Sequence, residues 1–146
     1  MLNVDELRPL LRAAWGPDTC DPASLDEWRP DNPARGQCGT TALVVQDLLG
    51  GDLILGEVHV DGARTSYHYW NRLPDGTETD LTADQFDPDE VVSGGIVQQR
   101  PPEGPRRCRE QYALLRQRVL AALPGRAATA ATRARGGRSR PTGSPG

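Results

Sequence analysis

Two short turn signals constrain this chain more than anything else in it. Asp61-Gly62 separates the run LILGEVHV from ARTSYHYWNRL, and Pro74-Asp75-Gly76 separates that second run from TETDL. Asp-Gly between apolar runs marks a two-residue hairpin, because both central residues must take positive φ. Pro-Asp-Gly suits a three-residue loop, a type I turn followed by a glycine in the left-handed region. Together they predict a three-stranded antiparallel meander. Tyr67, Tyr69, Trp70 and Thr77 are the aromatic and β-branched residues that such strands favour.

Loop length also decides which side chains meet. With Pro74-Asp75-Gly76 as the whole loop, Leu73 faces Thr77 and Trp70 faces Asp80. His68, Trp70, Asp80 and Thr82 then share one face, with His68 and Asp80 diagonal neighbours about 5–8 Å apart at Cβ. A loop one residue shorter or longer turns Asp80 to the other face, because the side-chain period is two.

Ahead of the meander lies GQCGTTALVVQDLLGG. Thr40, Thr41, Val44 and Val45 are compatible with a strand, but length and the flanking Gly36 and Gly50-Gly51 favour a helix. Ala42, Leu43, Val44, Val45, Leu48 and Leu49 cover most of its circumference, so the helix is expected to be buried on more than one side. Cys38 opens it. Unpaired N–H groups and the helix dipole favour a thiolate at that end. Gly36 and Gly39 leave room for a carbonyl to approach. The same stretch is compatible with an ordinary buried cysteine.

Cysteine, histidine and aspartate in this order offer a nucleophile, a base and an orienter. The candidate catalytic residues are Cys38, His68 and Asp80, and the candidate substrate-binding residues are Gln37, Gly39, Trp70 and Asn71. Trp70 would also wall the imidazole from water. Cys20 is the weaker thiol, since Asp21 beside it raises a thiol pKa. Cys108 reads as a small core residue on the stripe of a final helix. His59 is the rival base; the simple hairpin register puts it on His68's face, near the turn and away from Asp80.

The flanks complete an α+β chain. Leu7, Leu10, Leu11 and Ala14 follow helical spacing, with Pro9 implying a start after Asp5 or a bend, and Gly16 a stop. Residues 17–35, with four prolines, read as an extended surface loop pinned by Leu25 and Trp28. After Phe86 the chain is turn-rich, with one short strand near Ile96-Val97. Arg106 to Leu123 carries a stripe of Cys108, Tyr112, Leu115, Val119 and Ala122, ended by Pro124-Gly125. Residues 1–124 are expected to form a single α+β domain. Residues 125–146, rich in Arg, Gly and Pro, cannot bury enough surface to order and are expected to be a disordered tail.

Charge and spacing exclude several functions. Of seventeen arginines, five lie from Arg126 onward, which leaves twelve against twenty acids before them. That balance argues against a specific nucleic-acid partner. Three cysteines without a regular framework argue against disulfide stapling. No CxxC, HxH or HExxH spacing supports a metal, and no Gly-rich phosphate loop follows a strand, so no cofactor is expected. The N-terminus lacks the basic start of a signal peptide, and no apolar run approaches the roughly 20 residues that span a bilayer. A cytoplasmic protein without a membrane partner is the expectation.

GQCGTTALVVQDLLGG followed by HYWNRLPDGTETDLTADQF resembles the YunG-like family of small bacterial proteins. More distantly, HxWN, then DG, then DLT is similar to the His and Asp strands of transglutaminase-like and papain-like cysteine enzymes. The likeness runs roughly from Trp28 to Phe86. It implies a papain-like or transglutaminase-like core, with a cysteine-bearing helix packed on a small antiparallel sheet and Cys38, His68 and Asp80 as a triad. The chain departs from papain in having no separate oxyanion glutamine well upstream. Gln37 instead precedes the cysteine directly, and the Cys38 N–H is one expected oxyanion donor.

The expected activity is acyl transfer from a peptide or small amide substrate. Water as acceptor gives an amide hydrolase, and an amine gives a transglutaminase-like ligase. The alternative is a non-catalytic binding module on the same fold, using the aromatic strip Tyr67, Tyr69 and Trp70.

Overall fold

The computed structural model describes residues 2–123. Pro124-Gly125 and the expected disordered tail therefore lie outside the described residues. The fold is α+β, a curled four-stranded antiparallel sheet with three α-helices. The chain divides into two units, residues 1–115 and 116–146. Everything below concerns the first, apart from the end of the last helix.

Helix α1 spans Val4–Ala14. It starts earlier than Pro9 suggested, because Asn3 and Glu6 form a reciprocal capping box that satisfies two first-turn donors. Leu7, Leu11 and Ala14 supply its buried face. The segment after it is less extended than expected, since Pro22–Glu27 forms a 3-10 helix capped by Asp21. Leu25 does not pin this segment: it is 45% exposed. Cys20 is buried instead, its thiol donating to the carbonyls of Asp21 and Arg35.

Helix α2 runs Cys38–Leu49, with Thr40, Thr41, Ala42, Val44 and Val45 buried. Gly50 and Gly51 follow with φ of 80° and 85°. Gly51 is demanded twice over. A Cβ there would stand 2.1 Å from the Arg72 carbonyl oxygen, and its φ is one that side chains rarely adopt.

Strands β1 (Asp52–Val60) and β2 (Ala63–Arg72) are joined through Asp61 and Gly62, both at positive φ. Strand β3 is only Glu78–Thr79. Its loop closes as expected: the Leu73 N–H donates to the Thr77 carbonyl at 2.7 Å, and Gly76 takes φ 90°. Strand β4 (Val91–Gln98) is much longer than a short strand at Ile96-Val97, and it pairs with the far side of β1. The strand order is β3-β2-β1-β4.

Two irregularities reset the side-chain faces. Between Val58 and His59 the register shifts, so that Val58 pairs with Ser66 while His59 pairs with Arg64. The extra residue in β2 brings His68 opposite Gly56 and leaves His59 on the other face, bonded to Glu57 at 3.0 Å. His59 is therefore not on His68's face. Alternation also divides the supposed aromatic strip, with Tyr67 and Tyr69 on one face and Trp70 on the other. The second shift opposes Gly56 to the Gly94-Gly95 stretch of β4. Helix α2 packs on β2 and β1, and the Asn71 amide donates to the Ala42 carbonyl at 3.0 Å.

The last helix, α3, spans Arg109–Ala122, three residues shorter at its start than the stripe implied. Cys108 lies outside it in the left-handed region, at φ 57°. It is thus no core residue of a helical stripe. Among the described residues, no helix is long and apolar enough to cross a membrane.

Candidate active site

Cys38 is the first residue of α2 and is partly exposed. Gln37 precedes it in helical φ/ψ and offers no side-chain cap to the first-turn N–H groups. The Gln37 side chain points inward instead. It is fully buried, donates to the Gly16 carbonyl at 3.0 Å and accepts from the Thr19 hydroxyl at 2.8 Å. Gln37 thus anchors the start of α2 to the end of the α1 segment, and Trp15 adds a bond to Thr41 at 2.9 Å. On the other side, Arg35 ties the approach to Cys38 in place, bonding Glu27, Glu90 and the Gln85 carbonyl.

His68 is fully buried at the middle of β2. Its Nε2 meets Asp80 Oδ2 at 2.6 Å, as short as the shortest charge-assisted bonds of this kind. Asp80 is fixed in turn, since its other oxygen accepts from the N–H and hydroxyl of Thr82. Two aromatic rings hold the imidazole. Trp70 stacks on it with centroids 5.7 Å apart, and Phe86 meets it edge-on at 4.7 Å. Trp70 has room because Gly56 and Gly95 carry no side chain: a Cβ at Gly56 would lie 2.6 Å from the indole.

With Nε2 committed to Asp80, Nδ1 is left buried and without a hydrogen-bond partner among the described residues. The remaining group that acts on the ring is the Cys38 thiol. Burial pulls the imidazolium pKa down, but the bond to Asp80, the neighbouring Cys38 thiol, and the negative charge of each carry it up to about 9. The ring is therefore held as the cation through neutral pH. Tyr69 completes the surroundings of Cys38. Burial and then the Cys38 charge raise its phenol pKa.

The structure thus brings Cys38, His68 and Asp80 together, with Trp70 as the ring's support. Gly39 sits beside Cys38, and a Cβ there would meet only Tyr69, at 3.9 Å. Gln37 and Asn71 are buried with their amides engaged inside the fold, and neither faces the open side of Cys38. Cys20 stands apart, its thiol raised to about 11 by burial and then by Asp21. A cleft of about 1280 Å³ opens beside Cys38, with Leu53, Leu55 and Tyr69 in its lining. Cys108 lines it too, with a pKa raised by burial and Asp21. Phe86 and Cys108 were missed as site residues. The only sequence signal for Phe86 was its place at the end of the HYWN-to-QF stretch.

No solved structure matches the chain. The Bacillus subtilis (strain 168) protein designated "Uncharacterized protein YunG" is 32% identical over 83 residues, 57% of this chain. The match spans 63% of that relative's length. The profile of the YunG protein family covers residues 3–124. The chain belongs to the YunG family.

Proposed function

We propose that this protein is a cysteine-dependent acyl-transfer enzyme acting on amides, on a papain-like or transglutaminase-like core. The observation that carries the reading is the divided imidazole. Nε2 is held by Asp80 at 2.6 Å, while Nδ1 is buried without a partner among the described residues and the Cys38 thiol acts on the same ring. A ring tethered at one nitrogen and cationic at the other can hold a thiolate and later release its proton.

Cys38 Sγ attacks the amide carbonyl carbon, forming a C–S bond as the carbonyl π electrons move onto oxygen. The first-turn N–H groups of α2 suit that developing oxyanion. His68 Nδ1 then protonates the amine nitrogen as the C–N bond breaks, leaving a thioester. In the second half, neutral Nδ1 takes a proton from water, whose oxygen adds to the thioester carbon. Thiolate leaves, and a carboxylic acid is released. Asp80 keeps the ring's Nε2–H directed away from the thiol throughout.

Iodoacetamide alkylation of each cysteine, followed by mass spectrometry between about pH 6 and pH 9, tests the pairing. Cys38 should label far faster than the buried Cys20, and His68→Ala should slow Cys38 alone. Equal labelling of Cys38 in wild type and His68→Ala would remove the basis for the proposal. With the pairing established, release of amine from amide substrates in wild type and Cys38→Ala reads the reaction itself.

A further inference from the structure

The cleft beside Cys38 carries charge of the opposite sign to the rest of the chain. Residues 1–125 hold twenty acids against twelve arginines, yet five arginines and three acids line the cleft. All three acids are already engaged. Asp21 takes both terminal nitrogens of Arg107 at 3.0 and 3.1 Å. Glu27 and Glu90 each meet Arg35 at 2.8 Å. Arg100 is engaged at 2.7 Å by Asp47, which is not itself a lining residue.

Arg64 and Arg106 remain. Among the described residues each has an acid partner only at 4.0 Å, Glu57 and Glu103 respectively, and their side chains are 51% and 79% exposed. The Arg64 guanidinium lies over the Tyr67 ring, 4.8 Å from its centroid. Stacking holds the planar group while leaving its N–H edge to bond a carboxylate. Leu53, Leu55 and Tyr69 give the same cleft an apolar lining.

We propose that the cleft selects amides that bear a carboxylate on a short apolar stem, with Arg64 and Arg106 as the specificity-determining residues. This inference rests on the acyl-transfer reading above. Acids already engaged by other arginines, two loosely held arginines and an apolar lining form a recognition surface for an anion. A neutral amide would gain only the apolar lining.

The test uses two electrophiles of equal size, the α-amides of N-chloroacetyl-glutamate and N-chloroacetyl-glutamine. In both, Cys38 thiolate attacks the methylene carbon, a C–S bond forms, the C–Cl bond breaks and chloride leaves. The second-order rate of Cys38 modification is read by mass spectrometry. The anionic probe should react roughly 5- to 20-fold faster at low salt. That preference should shrink to about twofold or less in Arg64→Gln/Arg106→Gln, and in wild type at about 0.5 M salt. The neutral probe should react at the same rate in wild type and the double variant, which shows that the thiol and imidazole are intact. Equal rates for the two probes in wild type, or a preference that survives both substitutions, would overturn the proposal. Failure of the acyl-transfer reading is a separate result, seen as neutral-probe labelling that His68→Ala leaves unchanged.

Discussion

Replacing Asp80 by Asn tests the electrostatics of the site with almost no change in shape. In the folded protein His68 titrates near 9 rather than at its ordinary 6.5, against a burial effect that acts the other way. At 1.36 kcal/mol per pKa unit, this is about 3 kcal/mol in favour of the charged ring, shared between Asp80 and Cys38. The linked stability is fully present below pH 6.5, where both folded and unfolded rings are protonated. It is lost as pH rises from 6.5 through 9, because the folded state must then give up a proton that it holds more tightly.

Asp80→Asn keeps an acceptor near Nε2 but removes the charge, so it should lower the His68 pKa by more than one pH unit. It should also flatten the decline in stability between pH 6.5 and 9 by at least half. The ring is read by NMR titration of its Cε1–H resonance, assigned with His59→Gln, since the chain has only two histidines. Urea unfolding at about pH 6, 7.5 and 9 gives the stability side. The reasoning fails if His68 titrates at the same pH in both proteins, or if wild-type stability is level across this range.

Other substitutions probe the scaffold. Gly51→Ala should cost about 3–5 kcal/mol by urea unfolding, since its Cβ would strike the Arg72 carbonyl and its φ of 85° strains an L residue. A loss under about 1 kcal/mol would show that this contact relaxes freely. Gln37→Ala removes the buried amide's bonds to the Gly16 carbonyl and the Thr19 hydroxyl and should cost about 1–3 kcal/mol while slowing alkylation of Cys38. Unchanged alkylation would mean that Gln37 does not set the start of α2. Trp70→Ala should leave Asp80 bonded to His68 yet broaden the ring's resonance, because it removes the stacked face. A sharp, unshifted resonance would mean that Phe86 alone holds the ring.

What could be read from the sequence were features written in local backbone chemistry. Asp61-Gly62 and Pro74-Asp75-Gly76 demand positive φ at fixed places, so they set both hairpins and, through loop length, the meeting of His68 with Asp80. Gly36 and Gly50-Gly51 likewise framed α2 and put Cys38 at its start. What could not be read depends on pairing between distant segments. The extra residue in β2 that moves His59 to the other face has no local signature. Strand β4 was underestimated because Ser93-Gly94-Gly95 reads as a turn, whereas in the sheet it is a shift opposite Gly56. Cys108 followed a helical stripe by spacing, but a positive φ takes it out of the helix and into the cleft wall.

The seat of Trp70 has a consequence for how such chains can vary. Its indole occupies volume that side chains at positions 56 and 95 would need, on two different strands. The three sites therefore behave as one inherited unit: a bulky ring at 70 demands two bare α-carbons, and a side chain at 56 demands a smaller residue at 70. Drift at 56 or 95 is closed off while the ring stays, so a side chain at either must follow a smaller residue at 70 or pass through a less stable ancestor. A glycine in the middle of a neighbouring strand, unremarkable when read by itself, becomes a record of whether the histidine beside it still has its aromatic wall.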